Sequence, residues 1–123
     1  MERLRERLEI ATRALQTLLE LAKLDQPTRV QRDAAIQRFE YTFEAAWKTA
    51  QRFLEVVEGR PVGSPKASVR ASREVGLLGD EDAASALAMV DDRNLSVHTY
   101  DEAIANHIFS NLGGYCDVLE RWR

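Results

Sequence analysis

A chain of 123 residues, 45% apolar and 30% charged, is long enough for one domain with its own core and too short for two. That composition is the profile of a globular domain and not of a disordered one, and a net charge of −3 argues against broad, non-specific nucleic-acid binding, which draws on a basic excess, while leaving room for a local basic site. A single cysteine, Cys116, can form neither an intrachain disulfide nor a zinc cluster.

Leu4, Leu8, Ala11, Leu15, Leu18 and Ala22 recur at alternating steps of four and three, which predicts a first amphipathic helix over residues 2–24. Asp25-Gln26-Pro27 reads as a helix start with Asp25 as N-cap. The long second helix it opens runs to Glu58, where Gly59 and Pro61 stop it. Its expected inward stripe includes Val30, Ala34, Ala35, Phe39, Phe43, Ala46, Trp47, Ala50, Phe53, Leu54 and Val57. Ser64-Pro65 opens a shorter third helix ending near Gly76. Asp80 is placed to cap a fourth over residues 81–92, with Ala84, Leu87, Ala88 and Val90 inward. Thr99 and Glu102 have the spacing of a capping box for the last helix, whose stripe is Ile104, Ile108, Leu112, Tyr115, Leu119 and Trp122.

No segment alternates with period two. The expected fold is all-α: a single-domain, antiparallel, up-and-down bundle of four to five helices spanning residues 1–123. No cationic-then-apolar leader opens the chain, and no run of about 18 apolar residues occurs, so a cytoplasmic protein without a membrane contact is expected.

Chemistry concentrates in Arg93-Asn94-Leu95-Ser96-Val97-His98-Thr99-Tyr100, at the entry to the last helix. An arginine fork and helical N-terminal amides both suit a phosphate group. A histidine titrating near neutrality can accept or donate a proton at a ribose hydroxyl or a leaving oxygen. The plainer reading of the same residues pairs Arg93 with Asp91 or Asp92 and leaves His98 as a loop hydrogen-bonder.

Arg93-x4-His98-x-Tyr100 resembles the Arg-x(4–6)-His motif of HEPN domains. The stretch 38–49, RFEYTFEAAWKT, looks like the second helix of the subfamily called nucleotidyltransferase substrate-binding proteins. The resemblance implies a HEPN-like domain over residues 1–123, a homodimer, and association with a minimal nucleotidyltransferase encoded nearby. It further implies a toxin–antitoxin pair in which a metal-independent endoribonuclease acts on RNA without a cofactor. Arg93 would stabilise the scissile phosphate, Asn94 would position it, His98 would serve as acid or base, and Tyr100 would accept AMP from the partner, silencing the toxin. The alternative is a non-catalytic subunit that presents a nucleotide or substrate to the nucleotidyltransferase. The chain itself shows no strand pattern to carry the spaced aspartates of such a transferase.

Lys66, Arg70 and Arg73 share one face of the third helix and are readable as RNA or partner contacts, or as a solvated face. Glu40 and Glu44 are readable as paired metal carboxylates, yet no histidine lies at ligand spacing, so no metal is expected; Glu44 and Lys48 form an ordinary i,i+4 pair. Phe39, Phe43 and Trp47 are expected in the core or a dimer interface, His107 as a packing residue, Cys116 as a buried inert thiol, and Gly113-Gly114 at a close helix approach or a kink.

Overall fold

The computed structural model describes residues 2–122. Five α-helices follow in order: α1 (Glu2–Ala22), α2 (Arg29–Val56), α3 (Pro65–Glu74), α4 (Asp80–Leu95) and α5 (Glu102–Trp122), with a 3-10 turn, Ser96–His98, between the last two. No strand occurs among the described residues.

Cross-helix pairs fix the topology. Thr17 meets Tyr41 and Glu20 meets Arg38, so α1 and α2 run antiparallel. Asp92 meets His107 while Asp82 meets Arg121, so α4 and α5 also run antiparallel. Arg32 reaches Glu102, Phe39 stacks on Tyr115 and Phe43 tilts against Trp122, so α2 and α5 point the same way. α1, α2, α4 and α5 therefore form an up-and-down four-helix bundle, with the short α3 inserted in the α2–α4 connection.

The core forms where the apolar stripes meet. Leu18, Phe39, Phe43, Leu112 and Ile108 are fully enclosed, and Trp47 packs half-buried against them. α3 ends in the hydrogen-bond pattern that a left-handed residue allows. Gly76 (φ 86°) donates to the Arg73 carbonyl, and Leu77 donates to that of Ser72.

Several local expectations give way to stronger partners. The N-cap of α2 is Thr28 rather than Asp25: Thr28 Oγ1 accepts from Gln31 N (3.1 Å) while Gln31 Oε1 accepts from Thr28 N (2.9 Å). That reciprocal pair satisfies two otherwise orphaned amides, which Asp25 upstream does not match. Val30, in the first turn, and Val57, just past the last, are solvent-exposed rather than inward, as is Leu8 of the α1 stripe. Gly79 caps α4, and Asp80 is its first helical residue. The buried face of α4 is Ala83, Ala86, Met89 and Val90, leaving Ala84 and Ala88 outside. At α5, Asp101 replaces the Thr99–Glu102 box: its Oδ1 accepts from Ala103 N and Ile104 N, while Glu102 turns to Arg32 at 2.6 Å. A Cβ at Gly113 would make only ordinary contact with Lys23, and one at Gly114 would meet open space, so close approach does not explain that pair.

Candidate functional site

The candidate site is the α4–α5 junction, built on the last turn of α4, the 3-10 turn and the cap of α5. Its base is pinned by Asp92, whose side chain is 6% exposed. One carboxylate oxygen accepts from the Tyr115 hydroxyl (2.7 Å) and the Asn111 amide (3.2 Å); the other lies 3.2 Å from His107 Nε2. Burial and the donated hydrogen bond to Asp92 both push the Tyr115 phenol above its ordinary range.

Successive residues at the end of α4 face different helices because each residue advances about 100° around the axis. Asp91 turns to Lys66 on α3 (3.2 Å) and Asp92 turns to α5. Arg93 turns to α2, where Nη1 lies 3.8 Å from Glu40 Oε2 and Nε is buried without a hydrogen-bond partner. Neither Asp91 nor Asp92 is the arginine's partner. Ser96 Oγ lies 2.9 Å from the same Glu40 oxygen and 2.6 Å from the Arg93 carbonyl, so its one proton serves either acceptor. Asn94 is exposed on the outer side of the turn.

Beyond these anchors the chain projects outward. Val97 is 64% and Tyr100 81% exposed, and His98 is exposed between them. His98 Nδ1 lies 3.0 Å from the Tyr100 hydroxyl, with the two rings edge to face at 5.6 Å. The structure thus joins the imidazole and the phenol, while the guanidinium of Arg93 is directed at Glu40. The α5 N-terminus is partly occupied as well, because Asp101 takes two of its amides.

Beside Arg93 a groove of about 420 Å³ is lined by Arg7, Ile10, Glu40, Tyr41, Glu44 and Lys48, with charges of both signs. Burial raises the Glu44 carboxyl, but hydrogen bonds from Trp47 and Lys48 and the nearby Arg93 outweigh it, and its pKa falls below the ordinary value. Glu44 and Lys48 form the expected i,i+4 pair at 3.3 Å. Among the described residues no group of three carboxylate, imidazole or thiol side chains is arranged to hold a metal. On α3, Lys66 and Arg73 are paired with Asp91 and Asp80 on α4, and Arg70 lines a shallow cleft between the two helices. Cys116 is buried and its thiol is pushed up to about 11 by that burial.

Sequence reasoning missed Glu40 as the partner of Arg93 and Ser96, and Asp92 as the hub beneath them. A signal for the second existed. His107, Asn111 and Tyr115 stand four residues apart on α5, a line of three side-chain hydrogen-bonders that calls for a buried acceptor on the facing helix.

No helix among the described residues is long and apolar enough to cross a membrane. A family profile described as "Nucleotidyltransferase substrate binding protein like" matches residues 4–123. The chain is similar to a Thermus thermophilus protein of known crystal structure: 56% identity, TM-score 0.90, covering 91% of this chain and 94% of that one. It shares its fold with a Haemophilus influenzae protein described as having the fold of a substrate binding domain of a nucleotidyltransferase. That match has 23% identity and a TM-score of 0.74, covering 94% of this chain and 95% of that one. No curated protein sequence matches the chain.

Proposed function

The chain belongs to the nucleotidyltransferase substrate binding protein-like family, and from that premise we propose that it is the partner subunit of a separate nucleotidyltransferase, with no ribonuclease activity of its own. The α4–α5 junction is what it presents to that enzyme, and Tyr100 is the residue that receives the nucleotidyl unit, AMP where the donor is ATP. The observation that carries this reading is the setting of the Tyr100 phenol, 81% exposed with His98 Nδ1 at its hydroxyl.

A transferase must enclose both the acceptor oxygen and the α-phosphorus, so the acceptor has to leave the protein surface freely. Among the three tyrosines, Tyr115 is buried and bonded to Asp92, and the Tyr41 hydroxyl is shared with Thr17 at 2.7 Å. Tyr100 alone stands clear of the bundle. Exposed Leu95 and Val97 beside it offer an apolar contact for a docking partner.

A stronger form of the reading makes the chain a HEPN-type homodimer in which Arg93, Asn94 and His98 cleave RNA, with AMP on Tyr100 as the silencing mark. That form requires the Arg93 guanidinium to leave Glu40 and face His98, so the partner subunit without ribonuclease activity is the reading the geometry favours. Intact-mass measurement after co-expression with the nucleotidyltransferase tests it. Adducts in AMP increments that vanish in Tyr100→Phe support the acceptor role. An unmodified chain recovered in a stable complex with an active transferase removes it. RNA cleavage by the chain alone, abolished in His98→Ala, would install the ribonuclease form instead.

A further inference from the structure

We infer that His98 is the general base for nucleotidyl transfer to Tyr100, a role that rests on the reading of Tyr100 as the acceptor. A phenol that keeps its proton is a weak nucleophile. Attack on phosphorus therefore needs a group within hydrogen-bond reach to take the proton as the new bond forms. His98 Nδ1 is at 3.0 Å from the hydroxyl, and it is the hydroxyl's hydrogen-bond partner among the described residues.

The other ionisable groups of the junction are committed elsewhere. Asp101 caps α5 through Ala103 N and Ile104 N. Glu102 is held by Arg32 and Arg29, Asp91 by Lys66, and Asp92 lies beneath the turn with Tyr115 and Asn111. Glu40 faces Arg93 and Ser96 on the far side. Among the described residues, the imidazole is the base that touches the phenol.

The step uses the His98 tautomer that presents the Nδ1 lone pair to the phenol. Tyr100 Oη attacks the α-phosphorus of the nucleoside triphosphate that the transferase holds, forming the O–P bond. The bond from that phosphorus to the bridging oxygen breaks, and pyrophosphate departs with the electron pair. The phenolic proton passes to Nδ1 and then to solvent, which the exposed ring contacts directly. The product places a phosphodiester beside a transiently cationic imidazole, an ion pair absent from the starting state.

The test uses the purified chain, the purified partner nucleotidyltransferase and saturating magnesium ATP, with transfer followed by intact mass against time. Wild type, His98→Ala, His98→Gln and Tyr100→Phe are compared, and binding of each to the transferase is measured separately. His98→Ala is expected to bind normally and to be modified about 10²-fold more slowly, with partial recovery on addition of free imidazole. His98→Gln, which keeps a hydrogen bond to the phenol but accepts no proton, is expected to stay slow. Transfer to His98→Ala within about three-fold of wild type, at equal binding, would overturn the inference while leaving the acceptor role intact. Full activity in His98→Gln would overturn it too, by making the ring a positioning group. An unmodified wild type, or an adduct that persists in Tyr100→Phe, would remove the acceptor role and the inference with it.

Discussion

Replacing Asp92 by alanine tests whether one buried carboxylate holds α4 against α5. The side chain accepts hydrogen bonds at 2.7 Å from Tyr115 and 3.2 Å from Asn111, and it lies 3.2 Å from His107 Nε2. The partners are not equal. His107 is exposed and Asn111 is partly so, and both regain water when the carboxylate is gone; the Tyr115 ring is 7% exposed and its hydroxyl does not. Leaving that hydroxyl without an acceptor costs about 1–3 kcal/mol, and losing charge-assisted bonds adds to it, while relief of a buried charge offsets part. The expected net loss is about 2–3 kcal/mol, a Tm lower by about 10 °C for a domain of this size. Tyr115→Phe alone should cost about 1–2 kcal/mol, since Asp92 keeps its other partners. The double variant should then be more stable than the sum of the two by about 1 kcal/mol, because removing the hydroxyl also removes the orphan. Urea unfolding of all four proteins, followed by far-ultraviolet circular dichroism, measures each quantity. Strict additivity, or a cost below about 0.5 kcal/mol for Asp92→Ala, would refute the argument.

Alkaline pH should weaken the fold. Tyr115 and Cys116 both have folded pKa values raised by burial, Cys116 to about 11, so each contributes stability that is complete below its unfolded pKa and is lost as pH rises through the folded one. Urea midpoints should therefore fall above pH ~9, and fall less in Tyr115→Phe, whereas equal slopes in the two proteins would exclude the tyrosine. Thiol reagent at pH 8 should leave Cys116 unlabelled until the chain is unfolded; prompt labelling of the native protein would contradict its burial. Arg32→Ala should lower Tm more than Arg29→Ala, since both reach Glu102 but Arg32 is 7% exposed and Arg29 73%; equal shifts in thermal melts would count against that ranking. Glu40→Ala should raise hydrogen exchange at the amides of residues 96–98 by untying Ser96 and Arg93; unchanged exchange would show that Glu40 is not their anchor.

How far the chain can be read in advance depends on what decides each feature. The stripes of α1 and α2 follow from large apolar residues at helical spacing, and Phe39 and Phe43 sit in the core where that spacing puts them. The inward face of α4 escapes the same reasoning because the helix is rich in alanine on several sides. Alanine gains little from burial, so the choice of Ala83 and Ala86 over Ala84 and Ala88 is made by Met89 and the neighbouring helices. The caps differ from expectation for a related reason. Asp25 and Thr99 are good cap residues by type, but Thr28 has Gln31 to complete a reciprocal pair, and Glu102 is drawn off by Arg32. At the junction, spacing places Arg93, His98 and Tyr100 around one inter-helix turn, and the structure has them there. Their contacts depend on the turn that follows the 3-10 segment, closed by Asp101 N donating to the His98 carbonyl, and on whether Asp91, Asp92 or Glu40 faces the guanidinium, which helix packing alone decides.

The anchoring has a consequence for presentation. On one side of the turn Asp92 ties α4 to α5, and Glu40 draws Arg93 and Ser96 to α2; on the other, Arg32 holds Glu102 at 2.6 Å and Asn106 at 3.1 Å. Only Val97 through Asp101 lies between these ties, and Asp101 is itself fixed as the cap of α5. A phenol on a free loop would lose conformational entropy each time an enzyme captured it, about 0.5–1.5 kcal/mol for each mobile side chain and more for its backbone. Tyr100 stands on a backbone held at both ends, with its ring already against His98. Much of that ordering is therefore done in folding, so a phenol this exposed stands on an ordered backbone, and Asp92 and Glu40 bear on Tyr100 only through the turn they help to hold.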